Sequence, residues 1–227
     1  MMKKLILFSI ILTFNVFALD RIWDTRYTNG PEIRGQSKMV LGAGLRTGKD
    51  TDFFVPVHFQ GSVNEDAEFG AKLFYYSDNT HLNIGAKAYL SPNSYIGLDV
   101  PFMINKNFKG GLIVTYSKEN HIAKIFSNLY ELRAGFFEGV TGPDAYVKFE
   151  TGFMPTLNFG GVFLAMAELT SSFTAGHFQE DFMVDILPKL EVNISGTRLR
   201  LEFDFGILQE SNNNQRSIGF YALIPLK

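Results

Sequence analysis

The chain has 227 residues with 21 basic and 23 acidic side chains, which gives a formal net charge of −2 at pH 7. This balance lacks the basic footprint that nucleic acid requires, so nucleic acid is not expected as a partner. The sequence contains no cysteine, which excludes disulfide bonds and thiolate metal sites.

The first predicted element is a cleaved signal peptide over residues 1–18. Two lysines precede an apolar run over residues 5–14, and Ala18 fits the small residue of a signal-peptidase site. That run is too short to span a membrane as a helix. We therefore expect an exported protein, with an N-terminal membrane anchor as the alternative interpretation. Residues 19–37 receive no assignment.

From residue 38 onward, apolar and polar residues alternate. Residues 198–207 place Leu, Phe and Ile on one face of a strand and mainly charged residues on the other, because successive side chains point to opposite sides. Ten such residues are enough for a tilted strand to cross a bilayer. The mean hydropathy of +0.03 is low for a helical membrane protein, so a membrane protein of this composition has to be a barrel. The same alternation recurs in residues 53–60, 66–73, 81–88, 145–154 and 189–194.

The breaks between these segments fall into two classes that alternate along the chain. Tight breaks are predicted at residues 64–65, 91–94, 117–120, 154–155 and 195–197. Longer or more polar breaks are predicted at residues 46–52, 77–80, 104–106, 138–144, 170–180 and 209–216. Such alternation is typical of the short periplasmic turns and longer extracellular loops of outer-membrane barrels. The sequence therefore predicts an all-β fold, a closed antiparallel transmembrane β-barrel of about 12 strands (range roughly 10 to 14) over residues 38–227.

A barrel of about twelve strands is too wide for an apolar lining to fill. We therefore expect the apolar face to lie against lipid and the charged face to line the interior. Aromatic residues near the strand ends favour an interfacial girdle. Its predicted members are Phe53, Phe54, Tyr75, Tyr76, Tyr89, Tyr95, Tyr116, Phe136, Phe137 and Tyr146.

With these strands and turns, the chain resembles the bacterial outer-membrane β-barrel superfamily. The resemblance implies the outer membrane of a bacterial cell as the location, the lipid bilayer as a partner, and insertion by the outer-membrane assembly machinery. That machinery reads a last strand that alternates and ends in an aromatic residue. Residues 218–226 keep the alternation, but Lys227 stands where the aromatic is expected. Residues 97–102, Gly-Leu-Asp-Val-Pro-Phe, and the strand after them are similar to transporter barrels of the phenol-degradation pathway type.

Catalytic and metal-binding patterns are missing from the sequence. The four histidines lie on separate segments, and neither a nucleophile elbow, a zinc-protease helix nor a calcium loop occurs. Residues 44–49 lack the first glycine of a phosphate-binding loop, because Ala43 occupies its position. We therefore expect no enzyme activity, no metal site and no cofactor.

The remaining functional signal is the charge on the inward face. If opposite charges line one interior, they pair between neighbouring strands or across the lumen. The favoured interpretation is a passive channel or transporter for small molecules. One alternative is a non-conducting barrel, plugged by salt bridges, with a structural or interaction role; a second is a soluble periplasmic β-sandwich that binds a ligand. The predicted lumen-facing residues are Lys72, Lys87, Asp99, Arg133, Lys148, Glu150, Lys189, Glu191, Arg198, Arg200, Glu202 and Asp204.

Overall fold

The computed structural model describes residues 37–47, 51–76, 80–104, 109–138, 145–176, 179–209 and 216–226. The predicted signal peptide and residues 19–36 lie outside the described residues. The described chain forms twelve strands and contains no helix long and apolar enough to cross a membrane. The strands are β1 (Lys38–Thr47), β2 (Thr51–Asn64), β3 (Ala67–Tyr76), β4 (Thr80–Ser91), β5 (Ser94–Met103), β6 (Lys109–Ala123), β7 (Phe126–Glu138), β8 (Ala145–Phe159), β9 (Phe163–Gly176), β10 (Gln179–Ile194), β11 (Thr197–Gln209) and β12 (Arg216–Pro225).

The twelve strands form one closed antiparallel barrel. Each strand pairs with the next in the chain, and β1 pairs with β12 from Lys38↔Pro225 to Thr47↔Arg216. Closure leaves no unpaired sheet edge, which is the condition for a β-structure to span lipid. The predicted fold and strand number are therefore confirmed, and the chain does not form the two-sheet sandwich.

The two faces of the barrel wall have opposite chemistry. Large apolar side chains cover the outside: Phe53 is 50% exposed and Leu132 is 54% exposed, and similar residues are exposed on the other strands. Charged and polar side chains of the same strands are buried on the inside. A soluble protein rarely exposes so much contiguous apolar surface. The distribution is that of a wall that contacts hydrocarbon outside and encloses a polar interior.

Three predicted breaks were wrong in position. Residues 117–120 and 154–155 lie inside β6 and β8, whose turns follow at residues 124–125 and 160–162. Residues 170–176 belong to β9, so the connection to β10 is short. In the first and third of these segments, polar residues that resemble a turn face the interior instead: Ser117, Thr170 and Ser172 are all buried. A lumen-facing position accepts the same residue types as a turn.

Pro155 lies within β8 because the local pairing accommodates it. Pairing of β8 with β9 is registered at Phe153↔Leu169 and resumes at Thr156↔Met166, while Pro155 itself pairs with Asn128 of β7. Proline has no N–H to donate to a ladder. The missing N–H of Pro155 therefore interrupts the backbone ladder on only one side of the strand, the side of β9.

Candidate functional site

The interior of the barrel contains glycines where inward aromatic rings need space. The ring of Phe137 lies between Gly111 of the neighbouring β6 and Gly135 of its own strand. A Cβ built on Gly135 would lie 2.5 Å from Phe137 Cε2, and one on Gly111 would lie 2.6 Å from Phe137 Cδ1. These glycines let a large side chain pack against a concave wall.

Charged side chains of β9, β10 and β11 form a buried network that we call the ionic wall. The strand register creates it, because directly opposite residues of an antiparallel pair share one face. Glu191 is opposite Arg200, and Lys189 is opposite Glu202. Lys189, Glu191 and Arg200 are fully buried, with relative exposures of 0%. The ionic wall consists of Glu168, Lys189, Glu191, Arg198, Arg200 and Glu202.

Glu191 is the acceptor for two guanidinium groups. Arg200 donates to Glu191 Oε2 from Nε at 2.9 Å and from Nη2 at 2.8 Å. Arg198 Nη1 lies 3.3 Å from the other carboxylate oxygen, Oε1. Charge-assisted bonds of this kind are about twice as strong as neutral ones. Both carboxylate oxygens of Glu191 are therefore used, and the buried charges compensate one another.

Lys189 joins carboxylates from two neighbouring strands. Its Nζ lies 2.6 Å from Glu168 Oε2 on β9 and 3.4 Å from Glu202 Oε2 on β11. Three strands are thus bridged through one ammonium group. Asp204, farther along β11, is also buried, and Ser217 Oγ of β12 donates to its Oδ2 at 3.4 Å.

A second charged cluster lies on β7 and β8. Arg133 is opposite Glu150 in the register and donates to its Oε1 from Nη1 at 2.7 Å. Arg133 also contacts Glu131, two residues away on the same strand. Lys148 Nζ lies 3.4 Å from Glu150 Oε2. These four side chains alternate in sign, so the cluster compensates its own charge.

The opposite part of the wall, from β2 to β6, encloses open space. Here the inward side chains surround an interior cavity with about 450 Å³ of empty volume, part of it open to solvent. Lys87 Nζ lies 4.6 Å from the ring centroid of Tyr95, a cation–π contact within the cavity wall. The lining residues are His58, Gln60, Glu68, Phe69, Gly70, Lys72, Asn83, Gly85, Ala86, Lys87, Tyr95, Gly97, Asp99 and Thr115.

Several cavity side chains carry a polar atom without a hydrogen-bond partner. His58, Gln60, Asn83 and Thr115 are each more than nine-tenths buried. Within the described structure, no partner exists for His58 Nδ1, Gln60 Oε1, Asn83 Oδ1 or Thr115 Oγ1. Buried polar atoms in native proteins nearly always have a partner in protein, water or ligand. Four unsatisfied polar atoms therefore belong to cavity-lining residues, and others, such as Ser117 Oγ and Asn128 Oδ1, lie elsewhere in the interior.

Apolar residues also occupy part of the interior. One cluster combines Val40, Phe54, Phe74, Tyr221 and Leu223 from β1, β2, β3 and β12. A second cluster combines Met154, Leu164 and Met166, with Leu129 packed against it. Together they show that the interior is polar only in part.

The predicted aromatic girdle needs a correction. Phe54, Tyr95 and Phe137 are buried inside the barrel, so they do not belong to a girdle on its outer surface. Phe53, Tyr75, Tyr116 and Phe136 are exposed on the outside, as predicted. Tyr76 and Tyr146 have side chains outside the described part of the structure. Adjacent aromatics such as Phe53 and Phe54 necessarily point to opposite faces of a strand.

All twelve predicted lumen residues are buried or partly buried, on the face opposite the exposed apolar side chains. The structure brings them into three groups rather than one. Five belong to the ionic wall, with Asp204 nearby; Arg133, Lys148 and Glu150 form the β7–β8 cluster; and Lys72, Lys87 and Asp99 line the cavity.

Glu168 and the uncharged cavity residues were not predicted from the sequence. Glu168 was hidden because its segment has no regular alternation of charges, although it occupies an inward position of β9 next to Thr170. Asn83 and Thr115 are uncharged, so the pattern of inward charges did not indicate them as lumen residues. Their positions alternate in step with charged neighbours, which is the signal that could have found them.

The described residues contain no group of three or more His, Asp or Glu side chains arranged to hold a metal ion. No protein-family model and no curated protein matches the chain.

Solved structures do match the chain, among them a channel, a porin and an autotransporter domain. An outer-membrane channel from Pseudomonas putida F1 aligns with 89% of this chain and 98% of its own, at 7% identity and a TM-score of 0.63. The KdgM porin, solved in complex with disordered oligogalacturonate, aligns with 84% of this chain and 99% of its own, at 6% identity and a TM-score of 0.62. The β domain of the Bordetella autotransporter BrkA aligns with 86% of this chain and 100% of its own, at 8% identity and a TM-score of 0.63.

The chain has the fold of the bacterial outer-membrane β-barrels. This confirms the predicted resemblance in fold, and because the sequence identities are below 10% the comparison shows the fold alone. The same fold serves a channel, a porin and an autotransporter domain, so function has to be argued from the interior. The finer likeness to phenol-degradation transporter barrels stays a prediction.

Proposed function

We propose that the protein is a passive channel for small hydrophilic or weakly amphipathic solutes in the bacterial outer membrane. The observation that supports this is the cavity between β2 and β6, a polar space inside a barrel with an apolar exterior. The barrel neighbours that are described as a channel and a porin agree with the proposal. In this proposal the chain has no catalytic role, because conduction needs only a wetted path.

Of the twelve lumen residues predicted from sequence, Lys72, Lys87 and Asp99 line the cavity, and the other nine are proposed to enclose the path from the rest of the wall. Their charges are mixed in sign and mostly paired, as in the contacts of Arg133 and Glu150 and of Lys189 and Glu202. A pore lined by one sign of charge selects ions of the opposite sign. A compensated lining gives little preference, so we expect weak selectivity between anions and cations.

The ionic wall favours a second candidate function, a barrel that does not conduct. Lys189, Glu191 and Arg200 are fully buried, so this part of the interior is closed to water. A barrel that was filled in this way throughout would hold a partner or display its loops. The two functions differ only in whether the cavity belongs to a continuous aqueous path.

Gly97 allows a direct test of that difference. It lines the cavity, and a Cβ built on it comes no nearer than 3.5 Å to another atom, so a cysteine fits there. The natural chain has no cysteine to compete for a thiol reagent. Leu98, the next residue, is exposed on the outer surface and provides a matched control. The experiment compares Gly97→Cys with Leu98→Cys in planar bilayers, before and after addition of a charged methanethiosulfonate.

We expect stepwise conductance from both variants and a loss of most of it only when Gly97→Cys is modified. Mass spectrometry confirms the extent of modification, and heat-modifiable gel mobility confirms that each variant is folded. Absence of conductance steps in the folded wild-type protein would leave the non-conducting function standing. Steps that persist after complete modification of Gly97→Cys would show that ions bypass the cavity, which contradicts the proposed path.

A further inference from the structure

We propose that the interior cavity is a binding subsite for an uncharged, polyhydroxylated solute. The proposal rests on the channel function and names the solute class of the same site. It is based on the four buried polar atoms of the cavity wall that have no hydrogen-bond partner in the described part of the folded chain.

The orphaned atoms define the chemistry of the missing partner. Gln60 Oε1 and Asn83 Oδ1 are carbonyl oxygens that only accept hydrogen bonds. Thr115 Oγ1 both donates and accepts, and Nδ1 of the His58 imidazole donates or accepts according to its tautomer. A hydroxyl group is the simplest ligand group that both donates and accepts. Several hydroxyls on one small framework would satisfy acceptors on β2 and β4 and a hydroxyl on β6.

The strand register holds these groups around one space. His58 is opposite Lys72, and Lys72 is opposite Asn83, so β2, β3 and β4 present one row. Thr115 is opposite Gly97, which has no side chain to cover it. Rotation about the last side-chain torsion can turn the Asn83 amide and the His58 imidazole toward a solute, since such torsions are broad.

The charges of the cavity favour an uncharged solute. Lys72 and Lys87 contribute two positive charges, and Glu68 and Asp99 contribute two negative charges. The carboxylate of Glu68 accepts a hydrogen bond from Gln60 Nε2, and the ammonium of Lys87 lies over Tyr95. A charged solute would therefore meet no net attraction to offset its desolvation. The desolvation of an uncharged polyol on entry costs less free energy.

The cavity is partly open to solvent. A solute can therefore enter it from the lumen while part of its surface stays hydrated. A subsite in a channel has to bind strongly enough to admit the solute and weakly enough to release it. A few neutral hydrogen bonds meet that requirement, whereas paired charges would hold the solute too long.

The test measures solute flux in proteoliposomes with D-glucose and, as a charged solute of similar size, gluconate. Glucose flux is expected to saturate with concentration and to exceed gluconate flux. Thr115→Val and Asn83→Leu remove one hydrogen-bonding group each with little change in volume. For each variant, glucose flux is divided by KCl conductance in planar bilayers, so that changes in pore width cancel. The expected fall is about fivefold, as for one lost hydrogen bond.

Thr174→Val is the matched control. Thr174 is a buried inward threonine of β9 and lies outside the cavity lining, so the ratio is expected to stay at the wild-type value. Folded protein that conducts KCl, but whose glucose-to-KCl ratio is the same in Thr115→Val, Asn83→Leu and wild type, overturns the subsite and leaves the channel. Faster passage of gluconate than of glucose also overturns it. Folded protein without any KCl conductance removes the channel function, and the subsite with it.

Discussion

Glu191→Gln is the substitution for which the structure gives the clearest energetic prediction. The side chain keeps its shape but loses the charge that compensates Arg200 and Arg198. At 2.8 Å and an effective dielectric constant of about 20, the Coulomb attraction of one such pair is about 6 kcal/mol. Loss of one partner of a buried pair costs about 3 to 5 kcal/mol in measured cases. We expect the free energy of unfolding to fall by that amount.

The assay is reversible urea unfolding in phospholipid vesicles, followed by far-ultraviolet circular dichroism. Glu119→Gln makes the same chemical change at the more exposed pair of Glu119 and His121, whose nitrogen–oxygen distance is 3.9 Å. Exposed pairs contribute about 1 kcal/mol or less. We therefore expect the control to lose at most a small fraction of the stability lost by Glu191→Gln.

A double substitution separates the loss of a charge from the loss of packing. Replacing both Glu191 and Arg200 by Met removes the two opposite charges together, and Arg198 retains some access to solvent. Buried pairs replaced by apolar residues of similar volume are often neutral in stability. The double variant should be more stable than Glu191→Gln alone. A Glu191→Gln variant within about 1 kcal/mol of wild type would refute a compensated, dry network at this position.

Three further substitutions test the faces, the packing and the charge balance. Leu201→Arg places a charge on the lipid-facing side and should destabilise folding into vesicles by about 2 to 4 kcal/mol if the residue lies at the bilayer midplane. Gly135→Ala forces a Cβ against the ring of Phe137 and should cost about 1 to 3 kcal/mol in urea unfolding, whereas Gly97→Ala should be tolerated. Lys189→Met removes the ammonium between two carboxylates, so the reversal potential in a KCl gradient should shift toward cation selectivity. A shift toward anions would contradict the last prediction, and equal stability of the two alanine variants would contradict the second.

The closed barrel and the chemistry of its faces could be predicted because alternation is a local property. In the segment 198–207, the alternation of apolar and charged residues is enough to predict which side of the strand each residue faces. The number of about twelve strands then follows from the breaks between alternating segments, and closure follows from the need to satisfy every backbone group in lipid.

The position of the cavity could not be predicted because it depends on strands that are distant in sequence. Lys72 and Arg200 have equivalent patterns in the sequence, yet Lys72 lines open space and Arg200 is fully buried. The difference arises from what lies opposite in the register and across the interior. The pattern of charges in the sequence predicts which face of a strand a residue occupies, but not how densely that face is packed.

The seam between β1 and β12 has a consequence for assembly. Thr47 and Arg216, which meet there, are 169 residues apart in the chain. Every other neighbouring pair of strands is a local hairpin, so the sheet can grow from many places, but only this contact completes the cylinder. Until it forms, two long strand edges are available for pairing with other chains. Protection from aggregation during biogenesis therefore depends on a single late, long-range event.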